Sequence, residues 1–285
     1  MSAGHAAAER VAPADTGGRA ATTGPATTGV RRRGAGRRLG AVLLGLVVPA
    51  LLLLAWHIST AVGYFQPWQL PSPGSVYAAA VDLIQRGELT HHVLISTQRV
   101  LLGFLFGAVL GVAAGALLGL TRIADLLLTP MVGALRAVPS LAWVPLLLLW
   151  IGINEDSKVT LITIGAFFPI FTTLYLGLRH VDRNLVEAAR AFGVNGFRLL
   201  LTVQLPAVVP ALFSGLRLAL AQAWLFLVAA ELLAASMGLG YLLTESQQNG
   251  RVDRIILTII LLATIGKTTD ALLGIAERWA VRRWA

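Results

Sequence analysis

The sequence predicts an all-α, polytopic membrane protein with six transmembrane helices. Three observations carry that prediction. Of the 285 residues, 56% are hydrophobic and only 13% are charged, well under the roughly 25% charge of a soluble domain. Six stretches stay apolar over the roughly 20 residues that a helix needs to cross a bilayer. Lysine and arginine gather on alternate sides of those stretches, the bias that sets orientation in a membrane.

Residues 1–38 form a basic tail. Up to about position 30 they are mostly Ala, Gly, Thr and Pro, a composition that buries no core and predicts disorder. Arg31, Arg32, Arg33, Arg37 and Arg38 then precede the apolar run 39–62. A basic start before an apolar run is also the layout of a signal peptide. This run is too long for an h-region, and no A-x-A-like site follows it cleanly. It is read as the first transmembrane helix, entered from the cytoplasm. Residues 63–94 hold Leu70-Pro71-Ser72-Pro73, Asp82, Arg86, Glu88, His91 and His92. They read as an extracytoplasmic turn and a short surface helix.

The transmembrane core is expected over 95–275, with spans at 95–120, 127–152, 158–178, 207–235 and 253–275. Residues 276–285 form a basic cytoplasmic end. With both termini inside, the cytoplasmic segments hold Arg122, Arg179, Arg183, Arg190, Arg198, Arg278, Arg282 and Arg283, and the outer ones only Arg86, Lys158, Arg251 and Arg254. The polar loop 180–206 is thereby placed in the cytoplasm.

Several functions are excluded by composition. There is no cysteine, hence no disulfide frame, thiolate nucleophile or Cys-based metal site. The net charge of +9 does not indicate nucleic acid, because no basic stripe with interleaved aromatics runs through a polar domain. Gly266-Lys267-Thr268-Thr269 resembles the end of a P-loop, but Leu261 stands where the earlier glycine is required, and the segment closes an apolar helix. No cofactor is expected. His91 and His92 are adjacent, lack a third ligand and read as surface residues. No internal repeat is visible, as an inverted-repeat secondary transporter would lead one to expect.

Within the spans, Gly103, Gly107, Gly111, Gly115 and Gly119 recur every fourth residue. They form one ridge where another helix backbone can come close, the main packing device in lipid. A sliding surface during opening and closing is the sharper reading. Pro130, Pro139, Pro145 and Pro169 are expected to bend or interrupt their helices. Arg136, Arg217 and Glu231 are ionisable residues inside spans, where lipid exposure is costly. Arg136 and Arg217 are candidates for favouring an anionic solute in a pathway. The alternatives are pairing with Glu231, bonding to backbone carbonyls, or snorkelling to the interface. Arg217 and Glu231, 14 residues apart, are expected to share a face, and Glu231 near the outer end reads as interfacial.

The polar loop carries the most specific signal. Glu187-Ala188-Ala189 is followed after three residues by Gly193, and after nine more by Val203-Gln204-Leu205-Pro206. It reads as a short amphipathic helix with Glu187 near its start, complementing the dipole, and Gly193 at its stop. An active transporter without a nucleotide site must borrow its motor, and this loop is where one could dock. An ion-coupled transporter or channel would need its own coupling-ion carboxylates, and an intramembrane enzyme a nucleophile with a base.

The loop resembles that of bacterial ABC-importer permeases, with Val203 where that family more often has Ile. From about Trp56 onward the chain is similar to permeases of the nitrate/sulfonate/taurine group, and within it to aliphatic sulfonate permeases. The resemblance rests on Leu70-Pro71-Ser72-Pro73, Arg99-Val100-Leu101-Leu102-Gly103-Phe104, Leu135-Arg136-Ala137-Val138-Pro139, Trp150-Ile151-Gly152-Ile153, Ala230-Glu231, Gly238-Leu239-Gly240-Tyr241-Leu242 and Glu277-Arg278-Trp279. It implies a type I ABC importer permease fold. It also implies a second permease copy, a separate ATPase subunit that binds ATP and docks at Glu187, Ala188, Ala189, Gly193, Leu205 and Pro206, and an extracytoplasmic substrate-binding protein. The long tail departs from the family pattern.

Overall fold

The computed structural model describes residues 35–284; the expected disorder of the tail before Ala35 lies outside them. The described residues are helical throughout, with short connections and no strand among them. Residues from Leu51 onward form one compact unit.

Helix α1 spans Ala35–Ala61. Leu51, Leu52, Leu53 and Leu54 are each more than half exposed, as suits a helix bathed in lipid. Near its end the Trp56 indole donates to the Pro71 carbonyl at 3.0 Å. Ser72 then caps α2 (Pro73–Gln85): its hydroxyl accepts from the Ser75 amide, and Pro73 takes the first helical position. Val76, Ala79 and Leu83 repeat at helical spacing and pack with Leu89, Leu242 and Leu257. The predicted surface helix therefore has a buried face.

Helix α3 (Glu88–Leu120) is 33 residues long, or about 50 Å. It starts before the predicted boundary at 95. Its glycine ridge lies on α6 (Glu155–Arg179), which Asn154 caps through the Ser157 amide. A Cβ on Gly107 would stand 2.7 Å from the Ala166 Cβ and 2.9 Å from the Thr163 carbonyl oxygen. On Gly111 it would stand 3.0 Å from the Ile170 Cβ. Gly103, Gly115 and Gly119 meet Ile162, Leu174 and Leu178 in the same way. The fourfold spacing on α3 is thus answered by a fourfold spacing on α6, as in packing of i±4 ridges.

The predicted span 127–152 is not one helix. It divides into α4 (Arg122–Ala137), a 3-10 turn (Ser140–Ala142) and α5 (Trp143–Ile151). Pro139 causes the break: it lacks a backbone donor, and Val138 before it is extended at φ −72°, ψ 123°. Pro130, Pro145 and Pro169 lie within helices, so of the four prolines Pro139 alone falls at a break.

After α6 come α7 (Arg183–Ala191), α8 (Gly196–Leu199) and a π-helical turn (Leu200–Gln204). That turn runs directly into α9 (Leu205–Ala234), followed by α10 (Leu239–Gln248) and α11 (Val252–Trp284). Helix α11 continues through the segment read as a cytoplasmic end. Helices α3, α6 and α9 share the core, where Val100, Leu161, Ile162, Ala223 and Leu227 pack together. Gly165 of α6 faces the Phe226 ring, and Gly215 of α9 faces Thr173. Among the described residues, four helices are long and apolar enough to cross a membrane: α3, α6, α9 with its preceding π turn, and α11. The six predicted spans are therefore not six unbroken helices. The first is represented by the apolar stretch Val47–Ala61, and the third by the broken pair α4 and α5.

Candidate functional site

The loop between α6 and α9 is built from local signals. Asp182 caps α7 by accepting from the Asn184 amide at 2.8 Å. The helix thus starts at Arg183, and Glu187 lies in its second turn, paired with Arg183 at 2.7 Å. The reading of Glu187 as the dipole-complementing start is corrected: Asp182 holds that place. At the other end Gly193 has φ +78°. The Gly193 amide donates to Arg190 at 2.9 Å and the Val194 amide to Ala189 at 3.0 Å. These two bonds make a Schellman motif, which requires the left-handed conformation at Gly193. No residue of α7 is buried. Leu185 is 53% exposed and Phe192 87%; seven residues apart, they lie on the same side by helical spacing. Ala188 lies between them, while Ala189 turns partly inward. Exposed Phe192 is the residue of this surface that the sequence reading did not single out. Leu205 and Pro206 open α9, and Leu205 packs beside Leu174, Leu178 and Val208.

Glu231 is not interfacial. It is 1% exposed and accepts from Arg99 Nη1 at 2.7 Å, from the Ser96 hydroxyl at 2.8 Å and from the Gly240 amide at 2.7 Å. Arg99 also forks onto Glu155 at 2.6 and 2.7 Å, and donates to the Met237 carbonyl at 2.7 Å. Lys158 reaches Glu155 at 2.9 Å. His92 is buried, against expectation, and its Nδ1 accepts from the Gly238 amide at 2.9 Å. One polar cluster thereby ties α3, α6, α9 and the start of α10. Arg99 stood inside a recognised sequence segment, but its place at the start of the predicted span 95–120 gave no sign of burial.

Arg217 and Glu231 do not come together. Arg217 points to α11 and pairs with Asp270 at 2.9 Å and Glu277 at 3.3 Å. Neither Arg136 nor Arg217 is a partner of Glu231. Arg136, in the last turn of α4, borders two clefts. One of about 360 Å³ is lined by Pro139, Leu141, Gly165, Phe168, Pro169, Gln222, Leu225 and Phe226. The other, about 140 Å³, runs on along α6 past Thr172 and Tyr175. At its far end Asp125 accepts from Thr129 at 2.7 Å and Tyr175 at 2.6 Å, and pairs with Arg179. In the P-loop-like segment, Thr269 accepts from the Trp224 indole at 3.0 Å and Lys267 pairs with Asp270. The Trp224–Thr269 bond joins α9 to α11, whereas the Lys267 pair is an exposed contact within α11.

Comparison with known proteins gives a consistent picture. The family model for the binding-protein-dependent transport system inner membrane component matches residues 107–282. The protein of Bacillus subtilis assigned as the aliphatic sulfonates transport permease SsuC is 39% identical over 234 residues, covering 82% of this chain and 85% of its own. The SsuC assigned in Escherichia coli is 38% identical over 235 residues, covering 82% and 89%. The bicarbonate transport system permease CmpB of Synechococcus elongatus is 30% identical over 257 residues, covering 86% and 91%. Among solved structures, an inward-facing chain of the MetNI methionine ABC transporter superposes with a TM-score of 0.59 at 22% identity, covering 70% of this chain and 98% of its own. That likeness is one of fold.

Proposed function

The chain belongs to the family of binding-protein-dependent transport system inner membrane components, and from that premise we propose that it imports a small anionic solute, an aliphatic sulfonate by preference, driven by a separate ATPase. Two permease copies form the pathway. An extracytoplasmic binding protein delivers the solute. ATP-driven closure of two ATPase subunits draws the α7 helices together, and the pathway alternates between inward- and outward-facing states. Both termini lie in the cytoplasm. The ion-coupled secondary transporter is set aside by the family.

The observation that carries the coupling role is α7 itself. It is a capped helix with no buried residue, presenting Leu185 and Phe192 to the outside. Exposed apolar side chains clustered on a short polar helix suit a protein partner. Helix α7 connects to pathway helix α9 through a π turn, an irregularity that recurs at functional sites. A displacement of α7 therefore has a short mechanical route to α9.

The test is reconstitution. The permease, a cognate ATPase subunit and a matching binding protein are placed in liposomes with internal ATP, and uptake of a radiolabelled alkanesulfonate is measured. ATP- and binding-protein-dependent uptake is expected. The relative CmpB makes bicarbonate the competing solute, so uptake of bicarbonate with none of sulfonate would reverse the substrate assignment. A reporter fused after residue 285 should read cytoplasmic, and one at Asn154 should read outside.

A further inference from the structure

We infer that the two clefts bordered by Arg136 together form a binding station for a small organic oxyanion, with the anionic head on Arg136 and Thr172 and the apolar part against Phe168 and Leu225. The inference rests on the transport reading above and deepens it.

Charge comes first. Arg217, the other candidate cation, is neutralised by Asp270 and Glu277. Glu231 is taken up by Arg99, and Arg179 by Asp125. Among the described residues no carboxylate pairs with Arg136, which leaves its guanidinium as the uncompensated charge along α6. On the proposed orientation, α4 starts at the cytoplasmic face with Arg122. Fourteen residues further, at 1.5 Å each, Arg136 stands about 20 Å along α4, within a hydrocarbon layer of about 30 Å. A guanidinium at that depth faces a bundle interior or water-filled cavity and marks a solute path.

The surroundings set the ligand class. The helix break at Val138-Pro139 ends α4 one residue after Arg136, and this cation lines the larger cleft, where Gln222 adds a polar group. In the adjoining cleft the Thr172 hydroxyl oxygen is buried without a hydrogen-bond partner among the described residues. A guanidinium fork plus a hydroxyl donor suits an oxyanion with several acceptor oxygens, such as a sulfonate. Phe168, Leu225 and Phe226 supply the apolar wall, which has no use for an inorganic ion but covers an alkyl chain. The larger cleft, about 360 Å³, falls within the size range of small-molecule sites.

The experiment is ligand protection of Arg136 from phenylglyoxal, on the full-length permease with its ATPase in nanodiscs, read by peptide mass spectrometry. Ethane-, butane- and hexanesulfonate are compared with sulfate and bicarbonate. Hexanesulfonate is expected to slow modification of Arg136 about tenfold or more and to leave Arg217 unchanged. Protection should strengthen about two- to fourfold per added methylene. Thr172→Val should weaken the protection, and Leu225→Ser should flatten its dependence on chain length. Equal protection by sulfate and hexanesulfonate overturns the inference, as does an Arg136 that no sulfonate protects. The measurement needs neither binding protein nor ATP turnover. Absence of alkanesulfonate uptake by the wild-type importer would therefore defeat the transport assignment while protection still decides the site.

Discussion

Arg99 and Glu231, 132 positions apart in the chain, share a hydrogen bond of 2.7 Å inside the bundle. Both are almost fully buried, at 3% and 1% exposure. Glu231 spends its remaining acceptor capacity on Ser96 and on the Gly240 amide near the start of α10. Two buried charges are tolerable here because each is paired and further hydrogen-bonded.

Removing one partner strands the other. Glu231→Ala is expected to destabilise the permease by about 3–5 kcal/mol, as for a broken buried pair. Glu231→Gln keeps acceptors for Ser96 and Gly240 and should cost less. The double variant Glu231→Ala with Arg99→Met should lose less than the sum of the singles, because residues in one network are not additive. Thermal unfolding of the purified proteins in detergent measures all four. An additive double variant would show that the pair is not coupled.

The glycine ridge gives a graded prediction. An alanine Cβ at Gly107 would stand 2.7 Å from the Ala166 Cβ and 2.9 Å from the Thr163 carbonyl oxygen, with no flexible side-chain end to yield. At Gly115 the closest atoms are 3.1 and 3.2 Å away. Gly107→Ala should therefore cost more than Gly115→Ala, within the range of about 1–3 kcal/mol for overpacking. Gly111→Leu should lower the amount of folded permease in the membrane. Wild-type melting temperatures for both alanine variants would mean that α3 and α6 part more widely in the membrane than in this structure.

How much of this was legible depends on whether the signal is local. The ridge was readable, because glycine at every fourth position needs only helical geometry. Its partner residues on α6 were not, since Ile162, Ala166 and Ile170 look like any apolar face. Pro139 was legible as an interruption, yet Pro130 and Pro169 carried the same signal and left their helices intact. The difference lies in Val138 becoming extended, which the 3-10 turn after it accommodates. Gly193 was readable because few residues other than glycine close a Schellman motif without strain. Glu187 was misplaced by one turn, because Asp182 was not recognised as the cap. His92 was read as a surface residue and Glu231 as interfacial, and Arg99 was given no role of its own. Their burial comes from α10 folding back over them, a tertiary event with no local signature.

The coupling helix separates fold from function. Gly193→Val places a β-branched residue at φ +78°, a strained conformation, whereas Gly193→Asn tolerates it better. Val is expected to abolish uptake and Asn to retain much of it, with membrane abundance unchanged in both. Glu187→Lys removes an exposed pair with Arg183, a contact that contributes little to stability. Its effect should appear in ATPase co-purification and uptake. The same holds for Phe192→Asp, which puts charge where an apolar partner surface is expected. Wild-type uptake in all three, Gly193→Val, Glu187→Lys and Phe192→Asp, would remove α7 from the coupling role.

Arg217 supplies the contrasting case. From sequence it was a candidate for the solute path on the same footing as Arg136. Its guanidinium is instead held by Asp270 and Glu277 of α11, at 2.9 and 3.3 Å. An arginine whose charge is already balanced by neighbouring carboxylates attracts an anion weakly, since the solute meets no net positive charge. Arg217→Gln should therefore leave uptake of an alkanesulfonate within about twofold of wild type, as expected for a partly exposed ion pair. Arg136→Gln should reduce uptake by about tenfold or more, and Arg136→Lys should retain part of it, because charge survives while the planar fork is lost. Melting temperature and ATPase co-purification must stay at wild-type values for the comparison to report on the path. Uptake lost in Arg217→Gln and kept in Arg136→Gln would exchange the two roles and move the solute path from the α4–α6 side of the bundle to the seam between α9 and α11.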